Sequence, residues 1–136
     1  MAKITNIKPA YFLGSLLTNP RVLGGKVAEM ITALTEKTAV TQLTSISTGV
    51  TIDTQSGVIS TVALTTAADT DAGSFTVTNT KCFSNSVVLL TVVNSGTGTP
   101  VATVTSVSDG SFVVKVRNVH SATAFNSLLK INYTII

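Results

Sequence analysis

The most regular pattern in the chain is a strict alternation of apolar and polar residues near its C-terminus. Leu129, Ile131, Tyr133 and Ile135 alternate there with Lys130, Asn132 and Thr134. A period of two places the two sets on opposite faces of a β-strand. The segment is therefore predicted to be a strand with one buried and one exposed face.

Shorter alternating segments predict further strands. Phe112, Val114 and Val116 alternate with Val113, Lys115 and Arg117, and Phe75 and Val77 alternate with Ser74, Thr76 and Thr78. Val62 and Leu64 mark another strand, while Leu43 and Ile46, three residues apart, predict an irregular strand with a bulge. The run Val87–Val93 is apolar on both faces. That pattern is typical of a central strand covered by a second sheet or by a neighbouring subunit.

Turn-forming residues separate these segments, at Thr48-Gly49, Ser56-Gly57, Asp71-Ala72-Gly73, Asn94 to Pro100 and Asp109-Gly110. The Asp109-Gly110 pair favours a two-residue hairpin of type I′. About eight short strands at regular spacing predict an all-β fold, an antiparallel β-sandwich of jelly-roll-like type. We assign this sandwich domain to residues 38–136.

Residues 1–37 are predicted to form an extended arm followed by one short amphipathic helix. Val27, Met30, Ile31 and Leu34 follow Gly24-Gly25 at helical spacing. Their apolar stripe fits packing on the local core better than recognition of a partner. The arm before it is interrupted by Pro9, Gly14 and Pro20. It carries the apolar anchors Tyr11, Phe12, Leu13, Leu16 and Leu17, so docking on its own domain, a sister subunit or another protein is expected rather than disorder.

The apolar part of the arm does not predict a secretion signal. Pro9 and Gly14 break it, no small-residue cleavage site follows, and it is too short to span a bilayer. We therefore expect synthesis in the cytoplasm and no membrane segment.

The composition is rich in hydroxyl groups and poor in charge. Thr and Ser number 24 and 14 of the 136 residues, against 15 Asp, Glu, Lys and Arg. Such a composition favours strands over helices. Aromatic residues are 5% and Trp is absent, which argues against a sugar-binding groove or a platform that stacks nucleic-acid bases.

The net charge of +3 lies entirely in the N-terminal third. Residues 1–40 contain five basic and two acidic residues: Lys3, Lys8, Arg21, Lys26 and Lys37 against Glu29 and Glu36. Residues 41–136 contain four of each sign. A basic arm on a neutral body favours an acidic or phosphate-bearing partner, but without the dense clusters of a nucleic-acid tail. Scattered charge that serves only solubility is an equal alternative.

The residues that carry chemistry do not form a catalytic set. His120 lies in a polar connection without a Gly-x-Ser-x-Gly motif, and we interpret it as a loop histidine without any role. The single cysteine, Cys82, has no second thiol or base and is interpreted as a small hydrophobic residue. We predict that the protein is not an enzyme.

No cofactor or metal is expected either. Asp69-Thr70-Asp71-Ala72-Gly73 resembles the opening of a calcium loop but lacks the later oxygen ligands and the closing Glu, so a solvated turn is the better interpretation. Gly96-Thr97-Gly98 precedes Pro100 and a strand rather than a helix, which argues against a phosphate-binding loop.

From about Val27 to Ile136 the chain resembles small virion proteins of tailed bacteriophages, especially phages of marine bacteria. The motifs that carry the resemblance are Lys26-Val27-Ala28-Glu29, residues 44–51, residues 56–62, residues 75–79, Gly96 to Pro100, Gly110-Ser111-Phe112, Val116-Arg117-Asn118 and the final aliphatic strand. They are scaffold motifs of Gly and Thr and supply no catalytic residue.

The resemblance implies a capsid decoration or cement protein with a β-sandwich that assembles as a trimer. The expected partner is then the major capsid protein on the outer capsid surface, with no direct contact to nucleic acid or membrane. We predict attachment through the arm, by Lys3, Lys8, Tyr11, Phe12, Leu13, Leu16, Leu17 and Arg21. Similar sequences are tail-fibre proteins, so a receptor-binding tail module is the alternative, and a small carbohydrate-binding domain is a third.

Overall fold

A computed structural model describes residues 37–136, and in this range the protein is all-β, with no helix. The strands are β1 (Lys37–Thr41), β2 (Val50–Thr51), β3 (Ser56–Ser60), β4 (Leu64–Thr66), β5 (Thr70–Thr78), β6 (Val88–Asn94), β7 (Pro100–Ser108), β8 (Ser111–Asn118), β9 (Phe125–Ser127) and β10 (Leu129–Ile135). No helix long and apolar enough to cross a membrane occurs there. The predicted arm and helix lie outside the described residues.

Two four-stranded sheets and one two-stranded sheet are formed. Sheet A has the order β1-β3-β10-β6, sheet B has the order β2-β5-β8-β7, and β4 pairs with β9. Buried side chains from both larger sheets belong to one hydrophobic cluster. The rings of Phe112 on β8 and Tyr133 on β10 lie 5.6 Å apart between their centroids, which joins the two sheets directly.

The alternation predicted along the chain is confirmed in the central strands. Every second residue of β10 is buried, from Leu129 to Ile135, and Ile131 has no exposed surface. The same holds for Phe112, Val114 and Val116 on β8 and for Phe75 and Val77 on β5. Leu64 begins β4, as predicted, while Val62 precedes that strand. The pattern holds because the inward side chains of both sheets pack into one hydrophobic cluster.

The sheets are mixed rather than fully antiparallel. β1 pairs with β3 in parallel, and β2 pairs with β5 in parallel, whereas the other pairs in this part of the chain are antiparallel. Between β1 and β3 the chain contributes β2 to sheet B, and between β2 and β5 it contributes β3 to sheet A and β4 to the two-stranded sheet. In each case it returns in its original direction. A crossover of this kind is what a parallel pair requires, since a tight hairpin always reverses the chain.

The apolar run Val87–Val93 does not form a central strand. It becomes β6, which pairs with β10 on one side and is the last strand of sheet A on the other. Its inward residues Val88, Leu90 and Val92 pack on the core, while Leu89 and Val93 face outward and are about half exposed. Among residues 37–136, the outward apolar residues of this run are therefore left uncovered, and no second sheet of this range covers them. Cover by a neighbouring subunit stays a prediction.

The irregular strand predicted at Leu43 and Ile46 is wrong. Leu43 is 88% exposed, and the segment between β1 and β2 is a turn closed around Gln42. The buried amide of Gln42 donates to the carbonyl oxygens of Ile46 (3.1 Å) and Thr48 (2.8 Å). Because one side chain holds two backbone carbonyls, the segment stays curved instead of extending into a strand.

Two of the predicted turns lie inside strands. Ser56-Gly57 opens β3, and a Cβ atom on Gly57 would lie 2.8 Å from both Tyr133 Cε1 and Ile52 Cδ1. Glycine is needed there for close packing and not for a turn. Asp71-Ala72-Gly73 lies within β5, where the register with β8 shifts between Asp71 and Gly73. That segment is a β-bulge.

The hairpin between β7 and β8 is confirmed at Asp109-Gly110, but its turn is not of type I′. A type I′ turn requires positive φ at both central residues. Gly110 has φ 81°, whereas Asp69 is the one non-glycine residue with positive φ in the range 37–136. Asp109 therefore keeps an ordinary conformation, and the turn depends on Gly110 alone.

We expect Gly110→Ala to lower the free energy of unfolding by roughly 1 kcal/mol, because an L side chain is strained at this positive φ. No atom lies within 4 Å of an added Cβ, so the cost comes from the backbone and not from a clash. Urea denaturation measures it. Gly110→Asn is the matched control and should cost less, since Asn tolerates this conformation better. Equal losses in the two variants would show that the turn does not depend on φ.

Candidate functional site

The residues predicted to bind the capsid lie outside residues 37–136, as all eight belong to the arm. Within the described range the surfaces that differ most are the outward faces of sheets A and B. One is partly apolar, and the other is polar and ion-paired.

An apolar stripe lies along the outer edge of sheet A. It consists of Val87, Leu89, Val93 and Ile136, with relative exposures of 56%, 52%, 52% and 70%. The odd-numbered residues of this segment share the outward face, because the even-numbered residues Val88, Leu90 and Val92 pack on the core. Ile136 joins the stripe because it and Val87 exchange two backbone hydrogen bonds, both of 2.9 Å. Thr91 interrupts the stripe on β6, which has no charged side chain of its own, and the exposed Lys130 of β10 lies opposite Val93 on the same face.

The outward face of sheet B is polar. β5 presents Ser74, Thr76 and Thr78 there, and β8 presents Lys115 and Arg117 together with the half-buried Val113. Alternation places them on the side of each strand away from the core, where Phe75 and Val77 of β5 and Val114 and Val116 of β8 are buried. This face has the composition of an ordinary solvated surface.

Ion pairs fix the charged end of this face. Lys115 Nζ lies 2.8 Å from Asp71 Oδ2, and Arg117 bridges Asp69 Oδ1 at 2.6 Å and Asp71 Oδ1 at 3.2 Å. The hydrogen bond from Lys115 lowers the pKa of Asp71 below its ordinary value of 3.8, and Arg117 acts in the same direction. Both acidic residues of the motif that resembles a calcium loop thus have cationic side chains as partners. Among residues 37–136, no group of three or more His, Cys, Asp or Glu is arranged to hold a metal ion.

His120 has a structural role that its sequence context did not indicate. Its Nδ1 accepts hydrogen bonds from the backbone N–H groups of Ala122 (3.1 Å) and Thr123 (2.9 Å). The imidazole thereby closes the turn between β8 and β9. The interpretation of a loop histidine without any role needs this correction, which does not bear on catalysis.

Asn118 is the centre of the polar contacts at that end of sheet B. It is 1% exposed, and its Nδ2 donates to the carbonyl oxygens of Thr66 (3.3 Å), Ala67 (3.1 Å) and Thr123 (2.9 Å). Its Oδ1 accepts from the backbone N–H groups of Thr99 (3.0 Å) and His120 (3.2 Å). One side chain thus joins the connections around β4, β7 and β9 to the end of β8.

A second buried asparagine occupies the opposite end of sheet B. Asn79 has no exposed surface, and its Nδ2 donates to Thr54 O (2.7 Å) and Tyr133 Oη (3.2 Å). The phenol of Tyr133 in turn donates to Thr54 O (2.9 Å). Burial raises the pKa of Tyr133, so its hydroxyl stays protonated as a donor. This polar cluster ties β10 to the segment that precedes β3.

The sequence analysis gave neither asparagine a structural role, although the alternation of buried and exposed positions predicts that both side chains point inward. Asn118 continues the inward series of Phe112, Val114 and Val116, and Asn79 continues the inward series of Phe75 and Val77. An amide at an inward position at the end of a strand has to find partners in the core. Their geometry is that of structural clamps.

Cys82 lies in the core cluster, as its interpretation as a small hydrophobic residue predicts. Burial raises the pKa of its thiol, and the nearby Asp109 acts in the same direction. A thiol held protonated and without solvent contact is a poor nucleophile.

Comparison of the chain with protein-family models, curated proteins and solved structures gave no match.

We expect Asn118→Ala to destabilise the protein by roughly 3 kcal/mol, because truncation leaves several buried carbonyl and N–H groups without partners. Chemical denaturation followed by circular dichroism measures the change. Asn126→Ala is the matched control, since Asn126 lies exposed on β9. A loss for Asn118→Ala no larger than for Asn126→Ala would contradict the clamp.

The ion pairs predict a specific dependence of stability on pH. The folded-state pKa of Asp71 is lowered, so its contribution is present above pH 3.8 and is lost as the pH falls through the folded value. We expect Asp71→Asn to flatten the fall in stability between about pH 5 and pH 2 relative to the unmodified protein. Urea unfolding at several pH values tests this. Parallel curves for the two proteins would show that the Lys115 and Arg117 contacts do not persist in solution.

Proposed function

We propose that this chain is a structural protein of a phage virion, a capsid decoration or cement protein that binds and stabilises the outer capsid surface as a homo-oligomer. The observation that carries the proposal is the apolar stripe on an uncharged edge strand. A small protein that works alone has no need of such a surface, whereas an assembly protein uses it for contacts between copies. The resemblance of residues 27–136 to virion proteins supports the same role and implies three copies.

A structural role also agrees with how the chemically capable side chains are engaged. His120 uses Nδ1 to close a turn, and Cys82 is buried. Asp71 is paired with Lys115 and Arg117. Each of these groups acts within the fold, so we propose no catalytic activity for this chain.

We further propose that the two sheets form a jelly-roll-like β-sandwich and that the arm attaches it to the capsid. In this arrangement Lys3, Lys8 and Arg21 steer the arm towards an acidic surface of the major capsid protein. The anchors Tyr11, Phe12, Leu13, Leu16 and Leu17 supply contact area that salt does not screen. The sandwich then forms the outward body.

Co-sedimentation of the full-length protein with emptied capsids tests this function. We expect a variant with Lys3→Glu, Lys8→Glu and Arg21→Glu to bind capsids at least about tenfold more weakly. The reason is that its new acidic side chains are repelled by the proposed acidic capsid surface, which slows association and weakens the complex. Lys81→Glu is the control for charge on the body, and it should bind as the unmodified chain does.

Two outcomes would count against the proposal. Equal binding by the arm variant and the control would move attachment from the arm to the body. No binding of the unmodified chain to capsids, together with binding to tail preparations or host cells, would favour the receptor-binding tail module instead.

A further inference from the structure

The side chain of His120 holds the turn between β8 and β9 as a hydrogen-bond acceptor. Its Nδ1 accepts from the backbone N–H groups of Ala122 (3.1 Å) and Thr123 (2.9 Å). A ring nitrogen that accepts hydrogen bonds carries no proton, so the neutral ring has its proton on Nε2. An imidazolium ring has a proton on both nitrogens and accepts no hydrogen bond. The two contacts are therefore compatible only with a neutral ring.

The His120 turn, residues 119–124, is bonded to other parts of the fold. The carbonyl oxygen of His120 accepts from the backbone N–H of Asp69 (2.9 Å), which precedes β5. The backbone N–H of His120 donates to Asn118 Oδ1 (3.2 Å), and Asn118 Nδ2 donates to the carbonyl oxygen of Thr123 (2.9 Å). A change at the imidazole can therefore reach both the Asn118 clamp and the segment before β5.

The elements joined to the turn contain few groups that respond to pH. His120 is the only histidine in the sequence, and residues 118–129 contain no other ionisable side chain. β4, β7 and β9 contain none either.

The charged side chains on the remaining joined elements, β5, β8 and the segment before β5, form ion pairs with one another. They are Asp69, Asp71, Lys115 and Arg117. None of the ion pairs within residues 37–136 includes His120. Histidine is the side chain whose charge ordinarily changes between about pH 5 and pH 8, whereas carboxylates and the long basic side chains ordinarily titrate outside that range. A response of the turn in this range therefore points to the imidazole.

We propose that the His120 turn is a pH-sensitive switch, which is closed while the imidazole is neutral and opens when the ring takes up a second proton. That proton replaces the lone pair of Nδ1 with an N–H bond, which then faces two N–H donors, so both hydrogen bonds are lost. The side chain is half-buried, so solvent can supply the proton. This switch goes beyond the proposed function and does not depend on it.

Amide hydrogen exchange of the full-length protein, measured by NMR at about pH 7.5 and about pH 5, tests the switch. Each rate is compared with the intrinsic exchange rate at the same pH, which gives a protection factor. We expect the protection factors of Ala122 and Thr123 to be at least about tenfold lower at the acidic pH, because both amides lose their acceptor. The protection of Asp69 should fall with them, because its acceptor is the carbonyl oxygen of His120.

Two variants separate the charge of the imidazole from its role as an acceptor. His120→Asn keeps an acceptor, because asparagine Oδ1 is bonded to Cγ as Nδ1 is in histidine, and asparagine accepts from nearby backbone N–H groups in turns. Since an amide does not titrate in this range, this turn should stay closed at both pH values. His120→Ala removes the acceptor and should show the low protection of the open turn at both. Circular dichroism checks that both variants retain the β fold.

The switch is rejected if the unmodified chain protects Ala122 and Thr123 equally at the two pH values, or if protection falls as much in His120→Asn. It is also rejected if His120→Ala protects these amides as well as the unmodified chain does at about pH 7.5. That last result would show that the turn does not depend on the imidazole.

Discussion

The structure depends on how polar backbone groups are satisfied where the chain passes between its sheets. Each crossing leaves carbonyl and N–H groups inside the protein without a ladder partner, and an unpaired buried group costs free energy. Asn118 pairs five such groups at one end of sheet B. Asn79 acts with Tyr133 and Thr54 at the other end. The chain has one cysteine and few charges. These amides therefore fix the path of the backbone, a role that disulfides or buried ion pairs have in other proteins.

Between these two clamps the core is a simple packing of alternating side chains. The inward faces of β8 and β10 meet directly at Phe112 and Tyr133. Tyr133 also contributes its hydroxyl to the polar cluster around Asn79. The same residue therefore belongs to both the apolar core and the clamp, which couples the packing of the sheets to the fixed path of the chain that enters β3.

The same alternation of inward and outward side chains gives the outward faces of sheets A and B different polarity. On sheet B, alternation turns hydroxyl groups and ion-paired charges towards solvent beside the half-buried Val113. On sheet A, it turns Leu89 and Val93 outward on the last strand of the sheet, beside backbone groups that no other strand in residues 37–136 uses. The two outward faces of the same fold therefore differ in how much apolar surface they expose.

Alternation in the sequence by itself determined that the protein is all-β, where β5, β8 and β10 lie, and which of their side chains are buried, because burial on one face imposes a period of two. It also located the hairpin at Asp109-Gly110 and the connection from Asn94 to Pro100. Only the tertiary structure decided that Val87–Val93 lies at an edge among residues 37–136, that Gly57 serves close packing, and that Asn118 is a clamp. The physical reason is that pairing between strands depends on residues far apart in the sequence. The residue pattern of one strand shows only which of its faces are apolar.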